Sequence, residues 1–126
     1  MEYQPFNYRK LAKSFHHAVR GVIFLLKSEQ NARVHAIITI LVGIAAFLLD
    51  VTRLEAAILF MAVILVFAIE IINTAIEKVF DLCYPGKHEL IRGVKDAMAG
   101  AVFISAVIAV VVAIFVFLPH IRELFS

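Results

Sequence analysis

The chain has 126 residues, of which 63% are hydrophobic and only 17% charged, with a formal net charge of +2. A soluble domain of this length is close to half apolar, so the excess indicates a membrane protein, and the small charge gives no case for nucleic acid as a partner. The single cysteine, Cys83, excludes an intrachain disulfide framework and offers no metal-ligand spacing; it reads as a small apolar filler beside the membrane surface.

The N-terminus, Met1-Glu2-Tyr3-Gln4-Pro5, has no basic region leading into an apolar run, so no cleavable leader is expected. From about Phe6 to Lys27, Leu11, Phe15, Ala18, Val22 and Leu25 recur at helical spacing, while Arg9, Lys13, His16, Arg20 and Lys27 occupy the other side. A basic amphipathic helix of this kind lies in the headgroup plane of anionic lipid.

Three apolar spans are expected next, at about Val34–Leu49, Glu55–Ile76 and Ala97–Leu118. The first is short, so its flanks must help it cross. Asp50–Glu55 forms a turn, Tyr84-Pro-Gly-Lys-His88 breaks the second helix, and Pro119 stops the third. Arg9, Lys10, Lys13, Arg20, Lys27 and Arg33 precede the first span, and Lys78, Lys87, Arg92 and Lys95 lie between the second and third. Only Arg53 and Arg122 fall on the opposite side, which predicts a cytoplasmic N-terminus and an external C-terminus. In the third span Ala97, Ala101, Ser105, Ala109 and Ala113 recur every fourth residue, a spacing that lets helix backbones approach closely in lipid. Three spans make a thin bundle, and a homo-oligomer is expected.

The stretch Glu70-Ile-Ile-Asn-Thr-Ala-Ile-Glu-Lys-Val-Phe-Asp81 organises the rest. On a helix, Glu70, Asn73, Glu77 and Asp81 fall within an arc of roughly 80°. A charged side chain in the middle of a membrane helix costs roughly 2.5–3.5 kcal/mol on insertion scales, so Glu70 is a functional candidate. If the second span enters from outside near Glu55, Glu70 lies about 22 Å along it, about 8 Å short of the inner hydrocarbon edge. Glu77 lies about 10 Å further, at the headgroups or beyond. One carboxylate can then meet a lipid headgroup while the other meets a water-soluble reagent.

Glu29 ends the amphipathic helix at the same level, and Lys95-Asp96 opens the third span there. Carboxylates without Cys or suitably spaced His favour a hard cation such as Mg2+. The plainer alternatives are that Glu29 pairs with Arg33 at i+4, Glu77 is a solvated helix end, Lys95 is a topological anchor and Asp96 an N-terminal helix charge. His16, His35 and His120 read as interfacial side chains that snorkel. No Walker-type phosphate loop and no Ser/His/Asp arrangement is present. The residues alone therefore predict a small membrane oligomer with an acidic, metal-dependent site at its cytoplasmic face.

Four segments resemble the prokaryotic diacylglycerol kinase family, and more closely its Gram-positive undecaprenol kinase branch. They are Lys13-Ser-Phe-His-His-Ala-Val-Arg-Gly21, Ser28-Glu-Gln-Asn-Ala-Arg33, Glu70-Ile-Ile-Asn-Thr-Ala-Ile-Glu77 with Asp81, and Lys95-Asp-Ala-Met-Ala-Gly-Ala-Val102. The resemblance runs from about residue 10 to 118 and implies an all-α membrane fold: one integral-membrane domain over 1–126, homotrimeric, with active sites between subunits that use ATP and Mg2+. By position, Glu70 matches the general base, and Glu29 and Glu77 match the metal-holding carboxylates, which also approach ATP. Asn73 matches a supporting polar residue, with Asp81 beside it in the same element. Lys95 and Asp96 match the nucleotide-binding pair, and Gly86, Lys87 and His88 match a loop near the nucleotide. Lys10 and His17 match further ATP-binding positions, Lys10 a basic one and His17 one that is often aromatic, while His35 falls at one that is acidic in the diacylglycerol kinase branch.

The mechanism so implied is in-line attack of a lipid hydroxyl on the γ-phosphorus, with Glu70 as base and Lys95 offsetting charge. The expected reaction is ATP- and Mg2+-dependent phosphorylation of undecaprenol at the plasma membrane, with diacylglycerol as the alternative acceptor. A non-enzymatic cation conduit is the remote alternative. It requires polar residues along the whole span, and Ala56–Ile69 has none.

Overall fold

The computed structural model describes residues 4–126; the N-terminal stretch read for a leader therefore lies partly outside the described residues. Four helices account for the architecture: α1 (Tyr8–Ser28), α2 (Gln30–Leu48), α3 (Arg53–Cys83) and α4 (Glu89–Leu124). Three of them, α2, α3 and α4, are long and apolar enough to cross a membrane, which makes this a multi-pass membrane protein.

Local chemistry sets each boundary. Asn7 caps α1, its Oδ1 accepting from the backbone N–H groups of Arg9 (3.0 Å) and Lys10 (3.3 Å). A single extended residue, Glu29 (φ −118°, ψ 126°), breaks the path between α1 and α2. The Arg33 guanidinium covers the exposed end of α1 by donating to the carbonyls of Leu26 and Lys27. Between α2 and α3, Asp50 adopts φ 50°, a left-handed conformation that a short polar side chain tolerates better than most. Thr52 and Glu55 then form a reciprocal capping box at the start of α3, at 3.2 and 2.8 Å.

The spanning helices alternate in direction. Glu29 at the start of α2 meets Lys78 near the end of α3, and Asp81 at the end of α3 meets Lys95 in α4. At the opposite pole, Glu55 at the start of α3 meets His120 near the end of α4. The polar candidates from α1–α2, α3 and α4 are thereby gathered at one end of an up-down-up bundle.

Two boundaries differ from expectation. Pro119 does not stop the third span: α4 continues through it to Leu124. Proline removes one backbone donor, a loss that a membrane helix absorbs when neighbouring groups hold the following turn. Here the next residue, His120, is held by Glu55 at 3.0 Å, so it is a cross-helix clasp rather than a snorkelling side chain. In addition, α4 begins at Glu89, so Lys95 and Asp96 lie well inside the helix and Asp96 is not an N-terminal helix charge.

From Ala101 onward the small-residue stripe of α4 faces the chain's own helices, while Ala97 is exposed. Ser105 is buried, and Ala109 and Ala113 line a small cavity with His35, Val63 and Val66. Few side chains are buried in the single chain: among the described residues the buried hydrophobic ones are Leu25, Ala32, Leu59, Val66 and Val116. In water such a chain would lack a core; its exposed apolar surface suits lipid.

The capping box generates a stability prediction. Thr52→Ala leaves an orphan N–H at the start of α3 and should destabilise the protein by about 1 kcal/mol. Thermal unfolding in detergent should show the lower midpoint, and an unchanged midpoint would mean that the cap contributes nothing.

Candidate functional site

The site is built on α3. Its buried residues, Leu59, Val66, Glu70 and Thr74, are spaced by seven, four and four positions and so share one face. Glu70 is only 2% exposed. It therefore turns inward, away from the lipid-facing side of the helix. Its carboxylate lies within electrostatic range of Glu29, Glu77 and His35, and the Asn31 side chain adjoins it. One turn on, Asn73 is half-buried, and Glu77 is exposed where α3 emerges from the bundle. The arc expected from residue spacing is thus a path from a buried carboxylate to an open one.

Glu29 does not pair with Arg33. Its Oε1 takes the Lys78 ammonium at 2.8 Å, and the same ammonium stands 5.9 Å from the centroid of the Phe24 ring. This contact ties the α1–α2 junction to α3. The hydrogen bond to Glu29 holds the Lys78 pKa above the usual lysine value, against a smaller opposing effect of desolvation.

Lys95, two residues before the expected third span, is ion-paired with Asp81. That bond raises its pKa, with the Glu77 charge contributing in the same sense. Asp81, Lys95 and Arg92 line a cavity of about 680 Å³ with the loop Tyr84–Glu89, which brings Gly86, Lys87 and His88 to the same end of the molecule. Asp96 is exposed on the neighbouring position of α4. An anionic ligand at this loop would meet several cations next to the carboxylate path.

Lys10 and His17 are not brought to this cluster within one chain. Lys10 is in the first turn of α1, about 27 Å along the helix from its Glu29 end, and His17 is about 17 Å from it. Lys10 instead lines an open cleft with Gln4–Asn7, Leu11 and Ser14.

Among the described residues no three His, Cys, Asp or Glu side chains form a metal cage. Glu29 and Glu77 offer the carboxylate donors that a hard divalent cation of the Mg2+ type prefers. Such an ion is held through one or two carboxylates and completes its shell with water and substrate phosphates. One oxygen of Glu29 is occupied by Lys78 and the other is left for a ligand.

Sequence reasoning missed Asn31, Lys78 and Thr74, and it assigned His35 to snorkelling when it lines the small cavity with Val66 and Ala113, within electrostatic range of Glu70. Thr74 had a signal, standing four residues after Glu70 on the same face. Lys78 had none, because its partner is remote in sequence.

With the geometry in hand, similarity to known proteins can be set beside it. The family model for prokaryotic diacylglycerol kinase matches residues 16–117. The chain is 39% identical over 107 residues to the undecaprenol kinase of Bacillus subtilis, covering 85% of this chain and 87% of that protein. It is 36% identical over 115 residues to a diacylglycerol kinase of Synechocystis, covering 90% of this chain but 66% of the longer relative. To the diacylglycerol kinase of Escherichia coli K12 it is 30% identical over 104 residues, covering 82% and 85% of the two chains.

Proposed function

The chain belongs to the prokaryotic diacylglycerol kinase family, and on that premise we propose that it transfers the γ-phosphoryl group of ATP to undecaprenol at the cytoplasmic face of the plasma membrane. The observation that carries the reading is the inward-facing Glu70, buried in a membrane helix and continued by Glu77 to the open end of the bundle. A base at that depth suits an acceptor hydroxyl that is itself dissolved in the membrane. Undecaprenol is favoured because the relative named for it is 39% identical, against 36% and 30% for the diacylglycerol kinases of Synechocystis and Escherichia coli.

In the proposed reaction Glu70 accepts the proton of the lipid hydroxyl. The freed oxygen forms its bond to the γ-phosphorus as the bond from that phosphorus to the ADP oxygen breaks, and ADP leaves with the electron pair. Glu29 and Glu77 would hold Mg2+, which when bound neutralises charge on the phosphate oxygens. Asn73 and Asp81 support the site. Lys95 and Asp96 bind the nucleotide with the Gly86–His88 loop, and Lys95 offsets the charge developing on the phosphate. Lys10 and His17, remote within one chain, would reach a nucleotide only from an adjoining subunit. The family resemblance implies a homotrimer with shared sites, and the exposed apolar faces of the single chain support that assembly.

The amphipathic helix α1 lies on the inner leaflet in this reading. Ten of the twelve Lys and Arg residues fall on the side of α1 and the α3–α4 loop, which supports a cytoplasmic N-terminus and an external C-terminus.

Purified protein should be assayed with labelled ATP and either undecaprenol or diacylglycerol. Faster phosphorylation of undecaprenol is expected; preference for diacylglycerol would assign the second activity instead. In the same assay Glu70→Gln should reduce kcat by roughly 10²–10⁴-fold, the usual contribution of a positioned base, while nucleotide still binds. Retained turnover would remove Glu70 from the mechanism.

A further inference from the structure

Glu29 occupies an unusual position for a ligand. It is the single extended residue between α1 and α2, and its side chain makes no hydrogen bond to the helix that it precedes. A glutamate so placed has a fixed backbone but a mobile carboxylate, with three rotatable bonds between the two. Among the described residues, the one ionic contact that restrains it is with Lys78, whose Nζ lies 2.8 Å from Oε1. Lys78 is restrained in turn: its ammonium sits 5.9 Å from the ring centroid of Phe24, a residue of α1 just before the break. Lys78 also follows Glu77 directly, so it belongs to the turn of α3 that carries the second carboxylate.

We infer that Lys78 is a positioning residue: by holding Oε1 of Glu29 against α3, it presents the other oxygen of Glu29 to a nucleotide-bound divalent cation beside Glu77. This rests on the reading of Glu29 as a metal-holding carboxylate. Carboxylates that bind metals are themselves oriented by hydrogen bonds, and loss of such an outer partner typically weakens metal affinity or activity 10–100-fold. The ammonium has a second consequence. Glu29 and Glu77 both lie within electrostatic range of Glu70 and of Lys78, and this cation offsets their charge before any nucleotide arrives. The contrary role, a cation that competes with the metal for Glu29, predicts the opposite sign. Removing Lys78 would then strengthen metal binding.

The test uses the full chain in detergent micelles, with Mn2+ as the probe and a non-hydrolysable ATP analogue present. Free and bound Mn2+ are counted by electron paramagnetic resonance, which reads binding without turnover. Lys78→Met should raise the Mn2+ dissociation constant about tenfold or more, and the Mg2+ concentration for half-maximal turnover should rise in parallel. Lys78→Arg, which keeps the charge and the donors, should recover most of the affinity. A Lys78→Arg protein as weak as Lys78→Met would overturn the assignment, because charge and hydrogen bonding alone would not explain the loss. If Glu29→Gln weakens Mn2+ binding while Lys78→Met leaves it unchanged or tightens it, Lys78 has no positioning role and the metal reading of Glu29 stands. If neither substitution alters Mn2+ binding, Glu29 is not a ligand and both ideas fall.

Discussion

A carboxylate set into an apolar helix constrains everything around it. Glu70 cannot be left against hydrocarbon, where a charged group finds neither water nor a hydrogen-bond donor. The fold answers by turning it inward, on the face shared with Leu59, Val66 and Thr74, toward polar groups from α2 and the α1–α2 junction. The helix that carries it then runs on past its apolar segment, so the same face reaches open solvent at Glu77. A buried acid and an exposed acid on one rigid rod are held at a fixed separation of about 10 Å along the axis. That geometry suits a reaction between a substrate dissolved in lipid and another dissolved in water.

The remaining elements can be understood as supports for this rod. The break at Glu29 lets α1 leave the direction of α2, and the Lys78 contact keeps the break against α3. The Lys95–Asp81 pair sets α4 and its loop beside the same end. At the far pole, the capping box and the His120–Glu55 contact close α3 and α4 together. The chain buries few apolar side chains of its own, so it depends on lipid or on further copies of itself to complete its packing.

Much of this was legible in the residues. Apolar runs bounded by Asp50-Val-Thr-Arg and by Tyr84-Pro-Gly gave the number and order of the spanning helices, because turn chemistry and hydrophobic length are local properties. The inward face of Glu70 was legible too, from helical spacing and from the expense of a charge in lipid. Pro119 misled because a proline's local effect is countered by the cross-helix contact at His120, which no local rule contains. The plainer alternative for Glu29, an i+4 pair with its near neighbour Arg33, fails for a reason that is not local. The helix break rotates it out of that register and toward Lys78, a residue distant in sequence. His35 was judged by its position at the end of a span; its proximity to Glu70 depends on how α2 packs on α3.

All of this requires the Glu70 carboxylate to face polar groups of the protein and not acyl chains. Solid-state NMR of uniformly 13C-labelled protein in bilayers of 13C-labelled lipid reads this from carbon–carbon correlations of the Glu70 carboxyl resonance. Cross-peaks to Asn31 and none to lipid methylenes are expected. Correlations to lipid acyl chains, with none to α2, would contradict that orientation.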